Sequence, residues 1–167
     1  SQGWSGSQLC IIPIEGMEGY VTSINRLMTE KPSLAVDSAE YVRVPIPFNG
    51  AAQLIHAQVN YIETDTVRGV SFISAYAQMD YPIMSSSLEY NFSGLSAAGK
   101  YIIWLEYPLY TELLPTRRPT DNDVYQVNLD PPKYYKSVEN ILNPAAPSDF
   151  QPDLDVLLAL VQSVHTR

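Results

Sequence analysis

Positive charge is scarce in this chain. Ten Lys and Arg stand against eighteen Asp and Glu among 167 residues, a net charge of −8. Such a surface repels phosphate backbones and anionic lipid head groups, so no nucleic-acid partner is expected and docking on an acidic membrane is disfavoured. The one basic pair, Arg117-Arg118, lies between Pro115 and Pro119 and reads as loop, since two charges do not make a patch. Cysteine is limited to Cys10, which rules out an internal disulfide. Cys10 opens the apolar run CIIPI, where a buried free thiol is expected. Histidine is limited to His56 and His165, and neither sits in a metal-ligand or Cys–His pattern. No run approaches the ~18–20 uninterrupted apolar residues of a membrane span. The string GLSAAGK (94–100) ends Gly-Lys, but Tyr101 stands where a phosphate loop needs a hydroxyl residue. No cofactor, metal or nucleotide is therefore expected.

Tyrosine (12) and proline (13) are abundant, while charged residues make up only 17%. That balance suits an extracytoplasmic β-rich protein. The length fits one domain, able to bury roughly 70% of its unfolded surface without a disulfide or metal. We read residues 1–8 as a flexible lead and 9–167 as a single domain.

Periodicity gives an α+β order. LCIIPI (9–14) reads as a short strand that Pro13 places at a sheet edge. VTSINRLMTE (21–30) reads as a helix with Val21, Ile24, Leu27 and Met28 inward, stopped by Pro32. EYVRVPIPF (40–48) alternates as an edge strand, and Asn49-Gly50 signals a turn. Residues 51–64 alternate with Gln53, Ile55, Ala57, Val59 and Tyr61 toward the core and His56 on the polar side. A turn over TDTVRG (64–69) leads to a strand at 70–79. SLEYNF (87–92) reads as a strand with one face in water, SGLSAAG (93–99) as its connection, and KYIIWLEY (100–107) as a strand covered on both faces. Residues 110–125 read as a long loop. Residues 130–144 read as a helix capped by Asp130, with Tyr134, Val138, Ile141 and Leu142 inward. A last helix follows Pro152, with Asp153 and Asp155 in its first turn and a stripe of Leu154, Leu157, Leu158, Val161 and Val164 that Val156 and Leu160 widen. The expected fold is α+β: an antiparallel sheet of five or more strands with C-terminal helices on one face.

The acidic clusters carry no site. Asp153 and Asp155 are two apart on a helix and do not face each other. TDND (120–123) lacks the frame of a calcium loop and reads as solvated loop. Asn91-Phe92-Ser93 is a glycosylation triplet inside a strand and is discounted.

Residues 69–109 (GVSFISAYAQMDYPIMSSSLEYNFSGLSAAGKYIIWLEYPL), followed by FQPDLDVLLALVQSV (150–164), resemble uncharacterised bacterial secreted or lipoprotein domains. Those share a Tyr-Ala-Gln strand end, a Pro-Ile turn, a Gly-Lys-Tyr strand and a closing Pro-Asp-Leu helix. The resemblance covers about a third of the chain and brings no activity. It implies an extracytoplasmic location and a lipid tether on a cysteine upstream of this chain.

Three functions compete. The first is a non-catalytic interaction domain of a bacterial envelope or secreted protein, with another protein as partner. Its contact residues would be Tyr107, Tyr110, Tyr125, Tyr134 and Tyr135, because Tyr supplies contact area at low entropic cost. Segments 107–119 and Tyr134-Tyr135 would then lie close together and exposed. The second is an inhibitor or immunity protein that blocks a secreted hydrolase or toxin. The third is a hydrolase, whose raw materials are His56 with Glu63 or Asp65, and Ser71 or Ser74. No G-x-S-x-G, H-E-x-x-H or Cys–His motif accompanies them, so we expect no enzyme.

Overall fold

The computed structural model describes residues 6–39, 42–47 and 50–165. Its strands are β1 (Gln8–Pro13), β2 (Ala52–Gln53), β3 (Ala57–Glu63), β4 (Val67–Ser74), β5 (Tyr76–Ala77), β6 (Leu88–Ser96), β7 (Tyr101–Thr111) and β8 (Phe150–Gln151). Its helices are α1 (Glu18–Glu30), α2 (Asp121–Leu129), α3 (Pro131–Leu142) and α4 (Leu154–Gln162). A six-stranded antiparallel sheet runs β1-β7-β6-β4-β3, with β8 paired to the end of β7, and β2 pairs β5 separately. The α+β expectation holds.

Alternation along β7 builds two cores. Ile103, Leu105 and Leu109 point to the face covered by α2, α3 and α4, through Val127, Tyr135, Val138, Leu142, Leu154, Leu157 and Val161. Ile102 points to the opposite face, where Tyr20, Ile24, Leu27 and Met28 of α1 pack with Val70, Phe72 and Leu95. The sheet is thus sandwiched between α1 and the C-terminal helices, which removes the solvent-facing side expected for β6. Asn91 and Ser93 of β6 are buried, and the glycosylation triplet with them.

Several boundaries move for physical reasons. Residue 8 already belongs to β1; residues 1–5 lie outside the described residues. Residues 42–47 form no strand, because Val44 bonds through both its main-chain groups to the side chain of Gln53. Glu40, Tyr41, Phe48 and Asn49 lie outside the described residues, and the expected Asn49-Gly50 turn with them. The long strand expected over 51–64 is two strands. Leu54 N–H turns away to Ala75 O, and Gln58 adopts a left-handed φ of 51° at a bulge facing β4. That break invalidates simple alternation and carries His56 into the interior. β4 begins at Val67, so Gly69 is a strand residue and the turn is shorter. The β6–β7 connection is confined to 97–100 with Gly99 at φ 68°, while Gly94 and Ser96 extend β6. A strand there, followed by another strand, offers no phosphate cradle.

The C-terminal part is more helical than expected. α2 occupies what was read as loop: Thr120 caps it by accepting Asp123 N–H, and Asp123 accepts from Thr120 in return. TDND is therefore a helix start, and Arg117 closes on Asp123 at 2.5 Å. The Asp130 cap of α3 is as read, accepting Lys133 N–H at 3.2 Å. Its inward face is turned toward Tyr135 and Glu139, leaving Ile141 exposed. In α4 Asp153 is the cap itself, accepting Asp155 N–H, and Val156 and Leu160 are exposed rather than part of the stripe.

Candidate functional site

Of the raw materials of a hydrolase, His56 and Ser74 are tied into the core. His56 is buried, its ring edge-on to Phe72 with centroids 5.3 Å apart. Nδ1 lies 2.9 Å from Leu34 O and Nε2 2.8 Å from Gln53 Oε1. Burial pulls the imidazole pKa down to about 4, against the opposing pull of the Leu34 carbonyl. The surface position expected for it is therefore corrected. Ser74 Oγ donates to Ile55 O, and Ser71 faces the opposite side of the sheet from Phe72. The acid beside His56 is not Glu63 or Asp65 but Glu139 of α3. Glu139 is fully buried and accepts the main-chain N–H of His56 at 3.0 Å and of Val36 at 3.1 Å, with Lys136 Nζ 3.8 Å away. This arrangement clamps α3 to two loops. It presents no nucleophile to solvent.

The five tyrosines divide. Tyr107 is half-buried against the larger core. Tyr110 and Tyr125 are exposed, Tyr125 at 60%. Tyr134 and Tyr135 stack edge to face at 5.4 Å and hold the chain at 80–84: Ile83 N–H donates to Tyr134 Oη at 2.9 Å, and Tyr81 N–H to Tyr135 Oη at 3.0 Å. Tyr135 is buried, which corrects its expected exposure. Burial raises both phenols, that of Tyr135 to about 12. The expected neighbourhood of 107–119 and Tyr134-Tyr135 runs through this same stretch, since Ser85 N–H donates to Pro115 O and Ser85 Oγ to Thr111 O. It is a packed seam, with Tyr110 and Tyr125 outside it.

Two features were missed in the sequence. The first is the free edge of β1. The opposite edge, β3, is protected by the Gln58 bulge and by Gln58 Nε2, which donates to main-chain oxygens of Leu142, Asn143 and Ala145. β1 has no such cover among the described residues. Ile14 N–H bonds Lys100 O, so in this regular antiparallel register the main-chain groups of Gln8, Cys10 and Ile12 face β7. Those of Leu9 and Ile11 point outward. Their side chains are exposed at 46% and 45%. No charged residue blunts the strand, and only Pro13 closes it.

The second is a pair of carboxyls on the α1 face of the sheet. Glu106 of β7 lies opposite Asn91 of β6, and Glu89 is two residues from Asn91 on the same strand face. Glu106 is only 8% exposed, and Oε2 of Glu89 is buried without a hydrogen-bond partner. Burial, then the Glu106 charge, lifts the Glu89 carboxyl to about 7; burial lifts that of Glu106. Tyr76 O–H donates to Asn91 Oδ1 at 3.0 Å. Burial, then the two glutamate charges, raise its phenol, while hydrogen bonds with Gln53 and Ser74 pull it down. The available signal was an acid inside KYIIWLEY, a run otherwise apolar on both faces.

No described helix is long and apolar enough to cross a membrane, and no cluster of three or more His, Cys, Asp or Glu exists among the described residues. Comparison with protein-family models, with curated proteins and with solved structures gives no match.

Proposed function

We propose that this chain is a non-catalytic binding domain of a bacterial envelope or secreted protein, and that it takes an extended segment of a partner protein along β1. The observation that carries the reading is the contrast between the two sheet edges. β3 is bulged and capped, whereas β1 offers outward N–H and C=O groups of Leu9 and Ile11 between two exposed apolar side chains. Strand addition at such an edge draws affinity from main-chain bonds and specificity from alternate side chains. Tyr110 and Tyr125 remain as exposed aromatic contacts for the same or a neighbouring surface. The resemblance to secreted and lipoprotein domains supports a place outside the cytoplasm and a lipid tether upstream.

Ile11→Pro tests the edge, because the N–H it removes points away from β7. The wild-type domain and this variant are used as bait in native envelope extract, with mass spectrometry of what is retained. A protein held by the wild type and lost from an equally stable Ile11→Pro variant supports the reading. A partner held equally by both overturns the edge, and an empty wild-type bait overturns the binding function.

A further inference from the structure

The β1 sequence QLCIIP carries no charge, although the chain as a whole has a net charge of −8. Two copies meeting on an acidic surface repel each other; meeting along β1 they do not. Leu9 and Ile11 lie opposite Leu105 and Ile103 of β7, so their side chains stand on the face that carries α4. Gln8, Cys10 and Ile12 stand on the face of α1, which packs mainly over β4 and β6, away from this edge. The flank of α4 extends the apolar surface. Thr111 turns its N–H and C=O to Ser85 on the β6 side, so β8, paired to Tyr110, continues the β1 side of β7. From there α4 runs across the sheet to the β3–β4 turn, where Gln162 O accepts from Thr66 Oγ1 at 3.2 Å. With Leu154, Leu157 and Val161 inward, the right-handed winding turns Val156 and Leu160 toward the β1 edge. Both are exposed, as are Leu9 and Ile11.

We propose that the segment taken along β1 is β1 of a second copy, in a two-fold antiparallel pairing centred on Cys10. This rests on the reading of β1 as a strand-accepting edge and names its occupant. The side chains choose the register. A two-fold axis at Ile11 would set Leu9 opposite Pro13, which has no N–H to give. An axis at Leu9 would set the apolar Ile11 opposite Ser7. An axis at Cys10 sets Leu9 opposite Ile11 in both halves. Each such pair exchanges main-chain bonds, and each exposed apolar side chain gains an apolar neighbour. Pro13 then falls at the end of the ladder. The axis stands perpendicular to the sheet, so both α4 helices lie on one side, and Val156 and Leu160 flank the paired Leu9 and Ile11. The two Cys10 residues form a non-hydrogen-bonded pair on the other face. Their Cα atoms come about 4.5 Å apart, within the ~4.4–6.8 Å that a disulfide bridges. The contact is small, so a Kd on the order of 10 µM is expected.

The test is sedimentation equilibrium of the 167-residue chain from about 1 to about 200 µM, with diamide oxidation and non-reducing electrophoresis alongside. The expected result is a monomer–dimer equilibrium with Cys10 linked in the dimer. The two thiols lose their protons and an electron pair, which the N=N bond of diamide takes up as N–H, and one S–S bond forms. Ile11→Lys sets charges beside the axis at an already exposed position and weakens the dimer about tenfold or more, as does Ile11→Pro. Met79→Lys, exposed elsewhere, leaves it unchanged. Cys10→Ser keeps the dimer, since the thiol only reports the pairing. A chain carrying Cys10→Ser and Leu9→Cys links poorly, because the two Leu9 positions lie about 8 Å apart in this register. A dimer that survives both Ile11 variants, or linking through Leu9→Cys as fast as through Cys10, overturns the pairing. A chain still monomeric at about 200 µM overturns the second copy as occupant. If the monomer retains a foreign protein through Ile11 in envelope extract, the edge reading stands without this inference; if it retains none, both fall.

Discussion

Gly69 of β4 and Gly94 of β6 stand directly opposite each other, and the ring of Phe92 lies over both. A β-carbon on Gly94 would come within 2.5 Å of Arg68 O and 2.7 Å of Phe92 Cζ. One on Gly69 would meet Ser93 O at 2.5 Å. The constraint here is close approach, since neither glycine has a positive φ. The Phe92 ring fills the space that two side chains would occupy. Gly94→Ala should therefore cost about 2–3 kcal/mol by overpacking, lowering Tm by roughly 4–12 °C. Thermal melts check this, and an unchanged Tm would show that β4 and β6 can separate freely.

Stability should respond to pH through Glu89 and His56, whose pKa values burial shifts in opposite directions. Glu89 titrates near 7 in the fold against 4.5 ordinarily, so the fold holds its proton more tightly. That contribution is complete below about 4.5 and is lost as pH rises to about 7. His56 titrates near 4 against 6.5, so its contribution is complete above 6.5 and is lost as pH falls toward 4. Glu89→Gln mimics the protonated acid. Its Tm should match the wild type at pH 4 and exceed it increasingly up to pH 7.5. A gap that does not vary with pH would show that Glu89 ionises freely in the fold.

The core strands were legible because β6 alternates over Leu88, Tyr90 and Phe92, β7 is an apolar run, and a glycine turn at Gly99 joins them. The edge position of β1 followed from Pro13, and the cap of α3 from Asp130. What failed was anything decided at a distance. The break between β2 and β3 depends on Ala75 and on the Gln58 backbone, so His56 seemed to lie on a polar face. Asp121 and Asp123 seemed to be loop residues because the capping box of α2 follows a Pro-rich stretch that masks it. Glu89 and Glu106 become neighbours only through strand pairing, which no local pattern reveals.

The Tyr134-Tyr135 pair should behave as structure. Tyr135→Phe leaves Tyr81 N–H without its acceptor and should cost about 1–2 kcal/mol. Tyr134→Ala removes the acceptor for Ile83 N–H together with a ring packed on the core, and should cost more. Tyr125→Ala, at an exposed site on α2, should leave Tm within about 1 °C. Equal melting of all three variants would return Tyr134 and Tyr135 to the list of free contact residues.

Glu139 ties the layers on one side of the molecule together. Its carboxylate is fully buried, yet it receives N–H donors from the loop at Val36 and from His56, and its charge is balanced by Lys136, which also bonds Asp37. Burial raises its pKa above the ordinary carboxylate value, and the His56 and Val36 donors and Lys136 offset only part of that rise. Glu139→Ala orphans two buried main-chain donors and should cost about 3 kcal/mol or more. Glu139→Gln keeps an acceptor for one of them and should cost clearly less. Because both donors lie in connections rather than in strands, the loss should appear first as local opening. Amide hydrogen exchange at Val36 and His56 should accelerate in both variants before the β6–β7 amides change. If Glu139→Ala speeds exchange uniformly across the sheet, the carboxylate is a global packing element and not a clamp on these two loops.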